Sequence, residues 1–272
     1  MSKPLRAAVY GLAVGDALGV PYEFKPRGTF TVEGMDGYGT HNKPAGTWSD
    51  DTSLTLATCA SIKALGRVDT GDIGARFREW QQSGAYSVDG VFDIGMTTAT
   101  ALYKGMGQED EMSNGNGSLM RILPLAFTEA TEADTRAVSA ITHAHSISMD
   151  ACVNYVAIAR ALASGSSISD AVDSAPGFGG ANANASSLSE MGKEEVRSGG
   201  FVLDTLTAAL WCLLGTRCYR DCVLEAVRLG GDTDTTAAVA GGLAGIVYGF
   251  GGIPPEWLSR LRGKGIIEAC LF

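Results

Sequence analysis

Two short segments of this chain combine acidic and hydroxyl side chains at a spacing that suits a bound cation. They are Ser49-Asp50-Asp51-Thr52 and Asp232-Thr233-Asp234-Thr235, and each lies immediately before an apolar helical run. A helix N-cap would account for either segment alone, because Ser, Thr and Asp are preferred there and acids favour the positive end of the helix dipole. A cap needs only one acceptor, however, and each segment offers two carboxylates that repel each other unless a cation neutralises them.

The chemistry of these side chains also indicates which ion they would hold. All-oxygen ligands select hard ions such as Mg²⁺, Mn²⁺ or Ca²⁺, and two acidic clusters together suit a two-metal centre. Zinc is not expected, because the only histidines are His41, His143 and His145. Residues two apart on a helix do not face the same way, so these histidines predict no His-rich site.

Glu23, near the amino terminus, has neighbours that suit it to proton transfer. It stands between Tyr22 and Phe24, just beyond a helix that is expected to end at Pro21. Apolar neighbours raise the pKa of a carboxyl group toward the range useful for general acid–base work. A solvated loop glutamate is the alternative that the residues leave open. Asp16, on the preceding helix, is interpreted as tying a neighbouring loop in place.

A third motif, Ser113-Asn114-Gly115-Asn116-Gly117-Ser118-Leu119-Met120-Arg121, precedes another expected helix. Its backbone N–H groups could cradle a phosphate at the helix N-terminus. An ordinary turn followed by a helix cap is the favoured interpretation of this segment by itself. It is not a P-loop, because the Gly-Lys-Ser/Thr sequence is missing.

Helices are the elements that must position these motifs. Apolar residues mostly recur at helical spacing and seldom alternate, which predicts an all-α fold in one compact multi-helix domain over residues 1–272. Helices are predicted after both acidic clusters and over about 69–82, 93–104, 135–143, 201–214 and 218–229. Gly and Ser cluster over 165–198, which predicts a loop with one short helix.

Two glycine series suggest how two of the helices meet. Gly11, Gly15 and Gly19 fall four residues apart, as do Gly241, Gly245 and Gly249. Each trio would lie along one helix face. Glycine costs roughly 1 kcal/mol relative to alanine inside a helix, so its repeated use indicates close approach of two backbones. We expect these two helices to pack tightly and to bring their ends together at the site.

Composition excludes several classes of protein. Hydrophobic residues make up 45% and charged residues 19%, far from the profile of a disordered chain. The net charge of −9 argues against a nucleic acid or an anionic membrane as the main partner. The apolar stretch 236–252 is short for a membrane span, and no uninterrupted apolar run predicts a secretory signal. Six cysteines without a Cys-x-x-Cys pair indicate the cytoplasm.

In this order along the chain, the motifs resemble those of the ADP-ribosylglycohydrolase family, and the resemblance spans nearly the whole sequence. The opening Gly-Asp-Ala-Leu-Gly with its Pro and Glu is similar to residues 15–23, and the Thr-Asp-Asp-Thr motif is similar to residues 49–52. The Gly-Asn-Gly-x-x-Met-Arg loop resembles residues 115–121, and Thr-His resembles residues 142–143. The most specific motif, Gly-Gly-Asp-Thr-Asp-Thr, corresponds to residues 230–235.

The resemblance implies an all-α fold with two divalent cations, Mg²⁺ or Mn²⁺. The matching metal ligands would be Ser49, Asp50, Asp51, Asp232, Asp234 and Thr235. Contacts to the phosphates and ribose of ADP-ribose would come from Ser113, Asn114, Gly115, Asn116, Gly117, Ser118 and His143, with Phe201 placed to stack on adenine. Glu23 matches a glutamate near the ions. Asp93, in a segment similar to the bacterial arginine-specific branch, would guide the guanidinium or serve as an acid–base group.

Two residues depart from the family pattern. Ser49 stands where threonine is usual; it keeps the hydroxyl but lacks the methyl that restricts the rotamer, so looser ion binding is expected. Gly200-Phe201 replaces a common Gly-Tyr. Stacking on adenine would survive that change, whereas a hydrogen bond from the phenol would not.

The activity implied is hydrolysis of the bond between ADP-ribose and an arginine side chain of a modified protein. Such a reaction passes through an oxocarbenium-like state, so a carboxylate, Glu23 or Asp93, would handle the proton. Three alternatives stay open at this point. They are a hydrolase for serine-linked or small-molecule ADP-ribose, a two-metal phosphohydrolase for a nucleotide or phosphosugar, and a non-catalytic ADP-ribose-binding protein.

Overall fold

Helices make up the described chain, as the apolar periodicity predicts. A computed structural model describes residues 3–175 and 184–272, and within those ranges it contains thirteen α-helices and no β-strand. The helices are α1 (Lys3–Gly19), α2 (Asp50–Leu65), α3 (Thr70–Ser83), α4 (Met96–Lys104), α5 (Glu132–Ser139), α6 (Ser146–Ala163), α7 (Ile168–Asp173), α8 (Ala185–Glu190), α9 (Val202–Gly215), α10 (Tyr219–Arg228), α11 (Thr233–Tyr248), α12 (Pro255–Arg260) and α13 (Lys264–Cys270). The all-α prediction is confirmed.

The central pair of helices, α1 and α11, packs backbone to backbone. A Cβ built on Gly15 would lie 2.1 Å from the Ala237 carbonyl oxygen, and one on Gly11 would lie 2.3 Å from the Gly241 oxygen. Only glycine permits this approach, so the predicted tight packing of the two helices is confirmed. The second glycine series is shorter than predicted, because Gly249 has φ +70° and follows the last residue of α11.

Close packing of α1 and α11 determines where their ends meet. The Thr233 hydroxyl donates to the Gly19 carbonyl oxygen (2.8 Å), which joins the beginning of α11 to the end of α1. The Asp16 side chain near the end of α1 contacts the beginning of α2. Three helix ends therefore converge, and both acidic segments lie there.

Two predicted helices end or begin differently in the structure. The helix predicted over 135–143 is α5, which ends at Ser139, so His143 lies in the following turn. There the Thr142 hydroxyl accepts a hydrogen bond from buried Arg121, a tertiary contact that local periodicity does not encode. The helix expected after the Gly-Asn motif is replaced by two 3-10 turns, Leu119–Arg121 and Leu123–Phe127. Pro124 disfavours the α conformation at the residue before it.

The Gly- and Ser-rich stretch 165–198 contains more helix than predicted. Two short helices, α7 and α8, and one 3-10 turn, Lys193–Glu195, lie in its described part. Serine and asparagine side chains cap both helices, which explains why a loop-like composition still forms helical turns. The part of the loop prediction that falls on residues 176–183 lies outside the described residues.

The apolar C-terminal stretch forms the buried helix α11, as predicted from its small residues. Every residue of α11 from Thr233 to Gly245 is buried, beneath α1, α9 and α10. Among the helices of the described chain, none is both long and apolar enough to cross a membrane.

Candidate active site

The two acidic segments begin α2 and α11, but only one of them caps its helix with a side chain. The Ser49 Oγ at the start of α2 accepts from the Asp51 N–H at 3.4 Å and donates to Asp51 Oδ2 at 3.0 Å. Asp232 at the start of α11 makes no side-chain cap. Capping therefore explains the position of the Ser49 hydroxyl. It does not explain the carboxylates of Asp50, Asp232 and Asp234.

Asp16 joins α1 to the beginning of α2, as its interpretation from the sequence proposed. Its Oδ1 accepts from the Ser49 N–H (2.9 Å), and its Oδ2 accepts from the N–H (3.0 Å) and hydroxyl (2.6 Å) of Thr52. Burial raises the pKa of Asp16 to about 6 although these hydrogen bonds act in the opposite direction. Asp16 thus fixes the orientation of the first acidic segment.

The acidic side chains of both segments are too close together to be charged without a counterion. Burial and then mutual repulsion raise the pKa of Asp50, Asp51 and Asp234 well above the usual range. Three carboxylate oxygens that are shielded from solvent in the described chain have no hydrogen-bond partner, namely Asp51 Oδ1, Asp232 Oδ1 and Asp234 Oδ2. Buried oxygens left without a donor fit an ion that would take the place of the missing donors.

The spacing of the acidic groups is also suitable for an ion. Carboxylate oxygens of Glu23, Asp232 and Asp234 lie within 4.8 Å of one another. The Thr235 hydroxyl donates to Asp51 Oδ2 at 3.3 Å, which connects the second segment to the first. The six residues predicted as metal ligands are thus brought together at the convergence of α2 and α11, and an oxygen-only donor set of this kind suits Mg²⁺ or Mn²⁺.

Glu23 and Asp93 lie side by side at the edge of this acidic cluster. Burial, followed by repulsion from Asp232, raises the pKa of Glu23 to about 8. Burial, followed by repulsion from Glu23, raises the pKa of Asp93 to about 7. The pKa of Glu23 is raised, as the sequence predicted. Repulsion by like charges contributes to this rise in addition to burial. Both groups titrate in the range useful for proton transfer near neutral pH.

Two features of this edge were not predicted from the sequence. His41 hydrogen-bonds through Nε2 to Glu23 Oε2, and the same nitrogen lies 3.8 Å from Asp93 Oδ1. Asp93 has φ +62°, a conformation rarely adopted by residues other than glycine. Strained backbone of this kind is commonly found where a side chain is held for function.

The Gly-Asn motif forms a wall of the site through its central three residues. The Asn116 amide donates to Asp232 Oδ2 at 2.8 Å and to the Thr205 hydroxyl at 2.9 Å. A Cβ on Gly117 would lie 2.9 Å from His143 Cε1, so the loop packs directly against the imidazole. Asn116 thereby attaches the loop to the acidic cluster.

His143 is buried and neutral. Burial, followed by repulsion from Arg121, lowers its pKa to about 3. Arg121 Nη2 donates to the Thr142 hydroxyl (2.8 Å), and the same hydroxyl lies 2.8 Å from His143 Nδ1. Since Thr142 already accepts from Arg121, its own proton is available for Nδ1. A hydrogen bond donated by Thr142 to Nδ1 would place the ring proton on Nε2, which faces the Gly-Asn loop.

The remaining predicted binding residues support the loop from behind. Ser113 donates to Asp110 (2.8 Å), Asn114 Oδ1 accepts from Ser148 (3.0 Å), and Ser118 accepts from Ser139 (2.9 Å). Phe201 precedes α9 and its backbone pairs with that of Gly115; its side chain is 41% exposed. The structure therefore places these four side chains outside the cavity described next.

A cavity of about 530 Å³ opens above the acidic cluster. Its predicted lining residues are Glu23, Asp50, Asp93, Gly115, Asn116, Gly117, His143, Asp232 and Thr235. Ser49, Asp51 and Asp234 lie beneath this surface. The lining residues not predicted are Phe24, Ile94, Gly95, Met96, Thr97, Thr98, Met120 and Gly200. Several of these belong to the beginning of α4, whose proximity to the acidic segments has no local sequence signal. The volume is in the range of small-molecule and cofactor sites.

Comparison with known proteins agrees with this architecture. The sequence model of the ADP-ribosylglycohydrolase family matches residues 3–271. An ADP-ribosylarginine hydrolase of Pseudomonas putida is 33% identical over 97% of this chain and 75% of its own length. The ADP-ribosyl-[dinitrogen reductase] glycohydrolase of Rhodospirillum rubrum is 33% identical over 94% of this chain and 90% of its own.

A solved structure is similar over almost the same extent. A chain of an ADP-ribosylglycohydrolase-related protein complex superposes with a TM-score of 0.83 at 33% identity, and the match covers 98% of this chain and 95% of the other. By sequence and by fold, the chain belongs to the ADP-ribosylglycohydrolase family.

Proposed function

We propose that this protein is an enzyme that hydrolyses the N-glycosidic bond between ADP-ribose and an arginine side chain of a modified protein. The observation that carries the proposal is one cavity that contains both the carboxyl pair Glu23 and Asp93 and the Asn-Gly loop, directly above buried carboxylates with unpaired oxygens. Relatives named for ADP-ribosylarginine hydrolysis support the choice of arginine.

Two Mg²⁺ or Mn²⁺ ions are part of the proposal. Ser49, Asp50, Asp51, Asp232, Asp234 and Thr235 would hold them, and the unpaired oxygens of Asp51, Asp232 and Asp234 are the observation that fits them. When bound, divalent cations orient ribose hydroxyls and lower the pKa of water. They would also offset the repulsion that raises the pKa of Asp50, Asp51 and Asp234 in the chain alone.

Glu23 and Asp93 are the residues proposed to move the proton. Hydrolysis breaks the bond between the anomeric carbon and the guanidine nitrogen and forms a bond from that carbon to a water oxygen. The proton lost by the water has to reach the departing nitrogen. With pKa values raised to about 8 and about 7, both carboxyl groups can accept and return a proton near neutral pH.

The rest of the cavity is proposed to bind the ADP-ribose. His143, neutral and donating through Nε2, can hydrogen-bond a ribose or phosphate oxygen without adding charge. The loop Gly115–Gly117 and the first turn of α4 line the same space, and the N-terminus of α4 would present the positive end of its helix dipole to the phosphates. Ser113, Asn114 and Ser118 would maintain the loop, and exposed Phe201 would stack on adenine outside the deep part of the cavity.

Asp93 supports arginine as the acceptor. Its side chain lines the cavity, is 17% exposed, and is held in a strained backbone conformation beside Glu23. A carboxylate presented in this way can pair with a guanidinium, which carries a permanent positive charge. We place the activity in the cytoplasm, the compartment where thiols stay reduced; all six cysteines are free in the structure.

An assay with three defined substrates tests the proposal. Purified protein with Mn²⁺ is incubated with arginine-linked ADP-ribosyl peptide, with serine-linked peptide and with free ADP-ribose, and the products are separated by mass. We expect release of intact ADP-ribose from the arginine-linked peptide and preference for that peptide over the serine-linked one. Cleavage of the pyrophosphate with arginine still modified would identify a phosphohydrolase. Preference for serine would refute the role assigned to Asp93.

A further inference from the structure

His41 lies beside Glu23 and Asp93, the two candidate proton-transfer groups. Neither its residue type nor its position in the chain predicts this location. It ends the 3-10 turn Gly39–His41, in the connection between α1 and α2. Its ring lies between those of Phe24 and Phe92, with centroid separations of 6.1 Å and 5.3 Å. Its side chain is only 16% exposed. Packing therefore restricts the imidazole to one orientation.

The orientation of the ring directs Nε2 toward Glu23 and Asp93 at the edge of the acidic cluster. This nitrogen hydrogen-bonds to Glu23 Oε2 and lies 3.8 Å from Asp93 Oδ1. Within the described chain, His41 is the basic residue whose side chain contacts the carboxyl groups of Glu23 and Asp93.

The turn that carries His41 is itself fastened to Glu23. The Thr40 hydroxyl donates to the Glu23 carbonyl oxygen at 2.7 Å, so adjacent residues of the turn hold both the main chain and the side chain of Glu23. Gly39 has φ +60°, and a Cβ there would lie 2.0 Å from the Pro21 carbonyl oxygen. Tyr38 and Asn42 on either side also have positive φ, at 69° and 51°.

Two residues other than glycine in left-handed conformations are energetically unfavourable, and they persist only where surrounding contacts enforce them. The contacts that enforce them here are the packing of the turn on Pro21 and its backbone pairing between Tyr38 and Lys43. The turn is thus rigid, and two of its residues, Thr40 and His41, hydrogen-bond to Glu23.

We propose that His41 is a positioning residue that holds the Glu23 carboxylate in a single rotamer between Asp93 and the acidic cluster. Where enzyme activity is measured, this inference rests on the proposed function. Where the Glu23 rotamer is measured, it rests only on the geometry of the turn. Without the imidazole, the Glu23 side chain loses the hydrogen bond that fixes its carboxyl group beside Asp93. A displacement of about 1 Å in a catalytic group can cost on the order of 10²-fold in rate.

The test compares His41→Ala, His41→Gln and the control His145→Gln. Glutamine can return an N–H near the position of Nε2, and His145 caps α6 away from the cavity. For arginine-linked peptide at saturating Mn²⁺, we expect kcat of His41→Ala to fall roughly 10²-fold with little change in KM. His41→Gln should recover at least part of that loss, and His145→Gln should match the wild type. Equal kcat for His41→Ala and the wild type, or a loss seen only in KM, would overturn the proposal.

Crystal structures of the same variants provide a readout that does not depend on turnover. In His41→Ala the Glu23 carboxylate should leave its wild-type rotamer, and in His41→Gln it should return. A Glu23 side chain unmoved in His41→Ala overturns the positioning role whatever the substrate is. Failure of the wild type to cleave any arginine-linked substrate, with Glu23 displaced in His41→Ala, would instead refute the proposed function and leave the positioning role supported.

Discussion

Replacement of Gly15 by alanine tests whether the contact between α1 and α11 determines the stability of the fold. Two effects of opposite sign compete. Alanine is favoured over glycine inside a helix by about 1 kcal/mol, so helix propensity alone predicts a more stable protein. Packing predicts the reverse, because the new Cβ would lie 2.1 Å from the Ala237 carbonyl oxygen and 2.6 Å from its carbonyl carbon.

The distances decide which effect is larger. Favourable contacts to carbon occur at about 3.5–4.0 Å, so the two backbones would have to separate by more than about 1 Å. Overpacking of a core costs typically about 1–3 kcal/mol, and the upper end applies here because the opposing atoms are helix backbone that cannot rotate away. We expect a net destabilisation of about 2 kcal/mol. For a chain of this size, that corresponds to a fall of roughly 4–8 °C in Tm.

A matched control exists on another helix. A Cβ on Gly74, inside α3, would meet the Ile141 side chain at 3.5 Å, an ordinary contact. Gly74→Ala should therefore stabilise the protein by about 0.5–1 kcal/mol through helix propensity alone. Urea unfolding of wild type and both variants measures the free energies, and calorimetry measures Mn²⁺ binding. Gly15→Ala should also bind Mn²⁺ more weakly, because α11 carries Asp232 and Asp234 at its first turn.

The opposite ordering would refute this reasoning. If Gly15→Ala unfolds at the same or a higher urea concentration than the wild type, the close approach of α1 and α11 is not a determinant of stability. If it is destabilised but binds Mn²⁺ normally, the helix pair supports the fold without controlling the geometry of the acidic segments.

Three further predictions concern the charges of the site. In metal-free protein the pKa of Glu23 is raised to about 8, so the folded chain retains a proton that the unfolded chain loses near its ordinary pKa of 4.5. That stabilisation is complete below the ordinary pKa and is lost as pH rises through about 8, so Tm in EDTA should fall over that range and Mn²⁺ should reduce the slope; a Tm that is flat or rising over the range contradicts this. Asp234→Asn should abolish turnover and weaken Mn²⁺ binding in calorimetry while raising the unfolding free energy of the metal-free protein, because it removes a buried acidic group with an unpaired oxygen; unchanged Mn²⁺ affinity would mean that Asp234 is not a metal ligand. Thr142→Val removes the link between Arg121 and His143, so KM for the arginine-linked peptide should rise and stability should fall by about 1–3 kcal/mol in urea unfolding, whereas an unchanged KM would show that the His143 tautomer does not affect binding.

Much of the site could be predicted because its signals are local in the sequence. Ser49-Asp50-Asp51-Thr52 and residues 232–235 each occupy one helical turn, so their capping chemistry and excess of carboxylates are visible without a fold. The Gly15 and Gly241 series likewise indicate backbone contact, because glycine is otherwise unfavourable in helices. The structure confirms the helix pairing and brings the acidic segments together; their role as metal ligands stays a prediction.

The contacts that could not be predicted join residues that are distant along the chain or that lie in turns. His41 lies in a turn that packs against Pro21, and this packing brings its side chain to Glu23. The backbone of Asp93 has a positive φ, which sequence periodicity does not predict. The turn after α5 contains Thr142, whose hydrogen-bond partner Arg121 is buried and lies 21 residues earlier in the chain. Local propensity has no information about such contacts.

The sequence by itself therefore determined the helical class, the two acidic helix starts and the family resemblance, because each depends on residues within one or two helical turns or on motif order. Tertiary structure alone decided which side chains face the cavity. It placed Asn116 against the acidic cluster and His143 against Gly117, put Ser113 and Ser118 behind the loop, and set His41 beside Glu23. The physical reason is that a side chain's direction into a shared cavity follows from how whole helices pack, and the backbone contact of α1 with α11 fixes that packing.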